Sequence, residues 1–200
     1  MSRRELISLI LKGLMAWLTL SSLVWYFGGG LATLLFPLLK AVISTLMPEI
    51  SPGLKLVQVQ LDYALELSAR TLRPIYLNAD HFILPGTEMK SSIHLLHALV
   101  PLVIEGIILL VWPVQRGSQR CLLLALGFLT AVLLIMATLP THFLGQMEIS
   151  FHNIAVTGSK PRPVLWLVEW MVFCEMGGRW LLGIVAACLC IQAQRELLRD

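Results

Sequence analysis

Apolar residues fall along this chain in long blocks separated by short polar stretches, and block length limits what each can be. The first block, from about Leu6 to Phe27, is long enough for a membrane-spanning helix. Arg3 and Arg4 precede it and Trp25-Tyr26 close it, the flanks of a span with its positive end in the cytoplasm and an aromatic anchor at the far interface. Gly28-Gly29-Gly30 is expected to end that helix. Leu31 to Met47 is apolar again but carries Pro37 and Lys40, which predicts a helix lying in the outer interface. A re-entrant or full crossing by this segment is the alternative, and it would invert everything downstream.

Ile50 to Gly86 is the only stretch with strand character. Val57-Gln58-Val59-Gln60-Leu61 alternates strictly, Tyr63 to Leu67 keeps a similar rhythm, and Ser51-Pro52-Gly53 and Pro85-Gly86 bound the region as turns. Two or three short antiparallel strands fit. Further apolar blocks run from Ile93 to Val114, interrupted by Pro101 and Glu105, from Cys121 to Pro140 without a charge, and from about Val164 to Ile191. The six residues Gln115 to Arg120 form a basic loop, Thr141 to Pro163 a polar loop, and Gln192 to Asp200 a charged tail.

Composition sharpens the class. Of 200 residues 57% are hydrophobic and only 14% charged, well below the roughly one quarter charged in soluble domains, so an integral membrane protein is expected. The net charge of +3 is small, and the basic residues stand at block ends, which reads as topology rather than a nucleic-acid footprint. Arg3 and Arg4, Arg116 and Arg120, then Arg195 and Arg199 mark alternate ends, so four crossings place them all in the cytoplasm with both termini. The expected fold is an α-helical integral membrane protein: four transmembrane helices, an interfacial helix and a small β-containing extracytoplasmic insertion. Its parts are residues 1–30, the first transmembrane helix; 31–92, the outward insertion; and 93–200, three transmembrane helices with the outward loop 141–163 and a cytoplasmic tail.

Charges inside apolar blocks are the sharpest candidates for function. Glu175, Arg179, Gly183 and Ala187 are spaced i, i+4, i+8, i+12, so on a helix they form one slowly drifting stripe. A buried carboxylate and guanidinium must face protein or water, and small residues on the same stripe admit a neighbouring helix. Glu105 lies at a similar expected depth and is, with Glu175, a candidate partner for Arg179. The pair reads either as a register or docking device or as a proton relay or substrate counter-charge.

Other chemistry is weaker. His94 and His97 share a helical face, with His81, His142 and His152 expected on the same outer side, but there is no H-x-x-x-H or H-E-x-x-H arrangement. They are the only metal candidates, and no metal or other cofactor is expected. The four cysteines, Cys121, Cys174, Cys188 and Cys190, lie in or at the ends of apolar blocks, unlike the outward-loop cysteines of membrane thiol oxidoreductases. Cys174 beside Glu175 is embedded in an apolar span that has no histidine, and Ser91-Ser92 with His94 is a nucleophile and base possible in principle but unsupported in detail. Ser2-Arg3-Arg4-Glu5-Leu6-Ile7 is similar to a twin-arginine export signal, yet the block behind it is long for a signal peptide and no small-x-small cleavage site follows.

The order of elements, with Arg3-Arg4 before the first span, the Leu31–Met47 helix, the strand-like Val57–Leu67 and the junction from Leu77-Asn78-Ala79-Asp80 to Leu99-Val100-Pro101-Leu102, resembles the small bacterial inner-membrane proteins encoded beside exosortases, particularly the type H-associated group. That resemblance implies a non-catalytic accessory to a membrane transpeptidase that sorts exported proteins to the cell surface. The catalytic residues belong to the transpeptidase, so none is carried over. The expected function is therefore an accessory or assembly subunit of a bacterial inner-membrane complex, its partners the lipid bilayer and another integral membrane protein, with no nucleic acid. The alternative is a small transporter or proton-coupled membrane enzyme using Glu105 and Arg179.

Overall fold

A computed structural model describes residues 3–59, 62–77, 82–114, 116–155 and 166–198. His81, Asn78, Asp80, Lys160, Arg162 and Arg199 lie outside the described residues. The chain runs α1 (Arg3–Leu46), β1 (Ile50–Val59), β2 (Asp62–Thr71), β3 (Ile75–Tyr76), β4 (Phe82–Ile83), β5 (Glu88–His94), α2 (Leu95–Ala98), α3 (Val100–Val111), α4 (Gly117–Ala155), α5 (Trp166–Phe173), a π-helical turn (Cys174–Gly178) and α6 (Arg179–Leu197). Three helical stretches are long and apolar enough to cross a membrane: Arg4–Leu46, Gly117–Ala155 and Trp166–Leu197. Two compact units share the chain. The first comprises Met1–Gly28, Leu99–Ile135 and Gly177–Asp200, and the second Gly29–Ala98 and Met136–Met176.

Three expectations are corrected. Gly28-Gly29-Gly30 does not break the first helix, which continues through Pro37 to Leu46. Glycine costs a helix roughly 1 kcal/mol per residue, and tertiary packing overrides that penalty. Ala32, Leu35, Leu39, Ile43 and Met47 form a buried stripe, and Gly29 lets the side chain of Leu56 approach so closely that a Cβ would stand 3.0 Å from it. The expected second span from Ile93 to Val114 is instead a strand end, the short α2 and the twelve-residue α3. Twelve residues of helix rise about 18 Å, short of the ~30 Å hydrocarbon core. The polar loop expected from Thr141 is helical as far as Ala155. Phe143, Met147, Phe151 and Ala155 repeat every four residues and are buried, a stripe hidden in the sequence by the polar residues between them.

In the second unit the sheet has strand order β1-β2-β5, all antiparallel. Alternation divides its faces. Leu54, Leu65, Leu67, Ala69 and Ile93 are buried on one. Lys55, Glu66, Ser68, Lys90, Arg70 and Glu88 occupy the other, and Lys55 pairs with its cross-strand neighbour Glu66 at 2.9 Å. The Ser68 hydroxyl, and then the Lys90 charge, hold the Glu88 carboxyl below its ordinary range. Its small contribution is therefore present above the ordinary carboxylate pKa and disappears as pH falls through the depressed value.

In the first unit α3 packs on α6. They come close at Gly183, where a Cβ would lie 2.7 Å from the Pro101 carbonyl oxygen and 3.1 Å from Ile104 Cβ. Below it Leu109, Leu123, Ala187, Cys190 and Ile191 form a buried cluster. Gly183→Ala should therefore destabilise the detergent-purified protein by about 1–3 kcal/mol through overpacking, read as a lowered thermal midpoint. Gly13→Ala, whose added Cβ meets nothing within 4 Å, should leave the midpoint unchanged or raise it. Equal midpoints for wild type and Gly183→Ala would show that this contact does not hold the two helices.

Candidate functional site: a histidine–carboxylate cluster

Two polar clusters lie among the apolar helices, one in each unit. In the first, Glu105 of α3 is 1% exposed. Its Oε1 receives the Thr130 hydroxyl of α4 and lies 3.6 Å from the Cys190 thiol of α6. Gly127, one turn before Thr130, leaves room for Leu109 and the Glu105 carboxylate beside α4. Oε2 is buried without a hydrogen-bond partner. Glu105 makes no salt bridge with Arg179 among the described residues. Arg179 is itself fully buried as the first residue of α6. Gly183 and Ala187 pack inside the chain, against α3 and in the Leu109 cluster.

The second cluster is the richer one. It begins with helix packing: a Cβ on Gly145 would come within 2.9 Å of Met171 and 3.1 Å of the Leu167 carbonyl, so glycine there lets α4 lie against α5. His142 and Gln146 flank Gly145 on α4. Pro140 lies just before them within the continuous helix, where its ring nitrogen has no N–H to donate to the preceding turn. The Ala137 carbonyl receives both the Thr141 hydroxyl at 2.8 Å and the Trp170 indole N–H at 3.1 Å, which ties α5 to that turn. Beyond α5 the chain enters the π-helical turn, where Gly177 has φ +106°, a conformation that L side chains rarely adopt. Single π turns recur at functional sites, and this one carries Glu175.

Glu175 stands between two histidines. Its Oε2 lies 3.0 Å from His97 Nε2 of α2, and its Oε1 2.9 Å from His142 Nδ1. On the other side of the His142 ring, Nε2 is 3.0 Å from Gln146 Nε2, and the Ser91 hydroxyl of β5 donates to Gln146 Oε1. The chain of contacts thus runs Ser91–Gln146–His142–Glu175–His97 across four elements. It also bears on the His142 tautomer. With the Gln146 carbonyl accepting from Ser91, its amide N–H would donate to His142 Nε2, which calls for the ring proton on Nδ1, the nitrogen 2.9 Å from the carboxylate. A second proton on His142 would set N–H against N–H, and the Gln146 amide would have to turn over. The His142 side chain is 6% exposed, whereas His97 and Glu175 are 41% and 37% exposed, so the cluster opens at the His97 end.

This arrangement bears on the other sequence candidates. Ser91 gives its proton to an amide carbonyl, so it has no base to activate it. His94 turns to Asp62, 3.4 Å away, and His97 to Glu175, so the two share no ligand. Among the described residues no three His, Cys, Asp or Glu side chains are grouped as metal ligands. Cys174 and Cys190 are buried and Cys121 and Cys188 exposed, all as free thiols. Sequence reasoning missed the pairing of His142 with Glu175 because it placed His142 in a loop. The i, i+4 spacing of His142 and Gln146 was the available signal.

Comparisons with protein families, characterised proteins and solved structures find no match to this chain.

Replacing Glu175 with Ala removes the acceptor facing both histidines, and the buried His142 should destabilise the protein by about 1–3 kcal/mol, with Glu175→Gln milder. Imidazole 15N resonances should show His142 in the Nδ1–H tautomer in wild type and a mixture in Gln146→Leu. A wild-type Nε2–H tautomer would overturn this assignment of the cluster.

Proposed function

We propose that this protein is a non-catalytic accessory or assembly subunit of a bacterial inner-membrane complex, in protein export or surface sorting, and that its sheet receives a partner or exported segment by edge pairing. The observation that carries this reading is the position of β1. It is a ten-residue edge strand, paired with β2 on one side only, in a sheet whose apolar face is already buried. Its outer row of backbone donors and acceptors can extend the ladder. The closed hydrogen bonding of Ser91 and the burial of Cys174 and Cys190 favour binding over nucleophilic chemistry. The likeness to exosortase-associated proteins makes an exosortase-like transpeptidase the first partner to seek. A fourth crossing would come from the α2–α3 segment within such an assembly, with both termini cytoplasmic.

Adjacent residues of an edge strand point their N–H groups alternately toward and away from the neighbouring strand. Of Leu56→Pro and Val57→Pro, one therefore loses a donor from the outer edge while the β1–β2 ladder stays intact. Purified in mild detergent from the native membrane, wild type should carry a stoichiometric membrane or exported partner, identified by mass spectrometry. The proline variant that folds should lose it. Retention of the partner by that variant, or a wild-type homo-oligomer without any partner, would sink the proposal.

A second reading has one observation in its favour: the buried Oε2 of Glu105 accepts no hydrogen bond. In a small transporter or proton-coupled enzyme, Glu105 would carry protons and Arg179 would set the local charge. Proteoliposomes under an imposed pH gradient should then show proton flux that Glu105→Gln abolishes at normal protein abundance. Flux no greater than in empty liposomes excludes this reading.

A further inference from the structure

We propose that the cleft where α3, α4 and α6 meet at one end of the first unit binds the headgroup of a zwitterionic phospholipid, its phosphodiester on Arg195 and its amine on Glu196. The cleft has a volume of about 720 Å³, within the range of small-molecule sites, and Trp112, Pro113, Gln119, Gln192, Arg195 and Glu196 line it.

Its level along the helices argues for lipid. The buried cluster of Leu109, Leu123, Ala187, Cys190 and Ile191 lies directly beneath, and Trp112 and Val114 pack on that cluster. Above Ile191 the α6 sequence turns polar, with Gln192, Gln194, Arg195 and Glu196. Trp112 ends the short α3, but the α4 and α6 that flank the cleft belong to helical stretches long and apolar enough to cross a bilayer, and a tryptophan where such helices turn polar suits headgroup depth.

The walls are built. Arg120 of α4 donates to the carbonyls of Leu109 at 2.7 Å, Leu110 at 3.2 Å and Trp112 at 2.9 Å, which caps α3 and fixes the backbone that carries the indole. Gln194 donates to the Gln119 carbonyl at 2.6 Å and fastens α6 to the start of α4. Against this frame the Arg195 guanidinium lies 5.3 Å from the Trp112 ring centroid. Arg195 makes no salt bridge among the described residues, so its donors are open to a phosphate, the geometry in which a guanidinium binds best.

Charge selects the headgroup. Among the described residues the lining holds one guanidinium and one carboxylate, with Gln119 and Gln192 as neutral donors and acceptors. A purely anionic headgroup would meet the Glu196 carboxylate, whereas phosphoethanolamine places opposite charges on both. Two neighbours in sequence, Arg195 and Glu196, thus match the two charges of one small headgroup.

The full-length protein in mixed detergent micelles doped with phosphatidylethanolamine or phosphatidylglycerol tests this, with retained lipid counted by native mass spectrometry. Wild type should retain phosphatidylethanolamine ahead of phosphatidylglycerol. Arg195→Gln should lose about fivefold or more of that retention, as expected for removing a charge-assisted contact. Glu196→Gln should keep binding and lose the preference. Gln192→Trp, which fills the cleft from an exposed position and leaves both charges in place, should also release the lipid. It keeps the test decisive if Arg195→Gln does not fold. Equal retention by wild type and Gln192→Trp, or a wild-type preference for phosphatidylglycerol, overturns the proposal. Displacement of the lipid by free phosphoethanolamine at matched concentration would reassign the cleft to a soluble phosphate ester and overturn it as well.

Discussion

Among packed apolar helices a polar side chain has little water to turn to, so its partners have to come from the chain itself. That requirement orders much of this structure. The Glu105 carboxylate brings together α3, α4 and α6 through Thr130 and Cys190. Arg120 closes the end of α3 from α4. Glu175 holds α2 and α4 through two histidines. The Glu105 and Glu175 contacts join elements distant in sequence, and the Arg120 contacts join consecutive helices. Buried polar pairs contribute little net stability, because desolvation offsets most of their attraction, but an unmatched arrangement is strongly disfavoured. Their physical role is to select which helices meet and in what register.

Such contacts need backbones close enough for short side chains to reach, and glycine supplies that closeness. Gly127 leaves room for Leu109 beside Glu105 and Thr130. Gly145 seats α5 against the turn that carries His142 and Gln146, and Gly183 seats α6 against the Pro101 carbonyl. At Gly177 the need is different: a backbone with φ +106° in the turn that presents Glu175. Small residues and polar residues are therefore two halves of one device.

These relations explain what the sequence revealed. The apolar blocks were legible because hydropathy over twenty residues does not depend on tertiary context, and so was the sheet, whose alternation follows from one buried face. The glycine run at 28–30 misled because its local helix penalty is smaller than the packing gained by Leu35, Leu39 and Ile43 beyond it. The helix over 141–155 was obscured by His142, Gln146 and Glu148, which read as loop residues until they acquire a packed polar surrounding. The stripe Glu175–Arg179–Gly183–Ala187 assumed an unbroken α-helical period. The π turn adds a residue between Glu175 and the rest, and directs its carboxylate to His97 and His142. Nothing in the sequence short of the Gly177-Gly178 pair signals that turn.

Through Gln146 of α4 the histidine cluster also connects to the sheet. Ser91 belongs to β5, which pairs through β2 with the open strand β1. Its hydroxyl meets Gln146, whose amide nitrogen meets His142 Nε2. A hydroxyl, an amide and an imidazole joined in series can exchange donor and acceptor roles together but not singly, because any one reversal leaves two donors or two acceptors facing each other. A proton gained by His142 must be matched by rotation of Gln146 and a change in what Ser91 donates to. The sheet is therefore tied, at Ser91, to a polar network that includes a buried histidine. A segment added to β1 would bear on the same contact through two strands of backbone pairing.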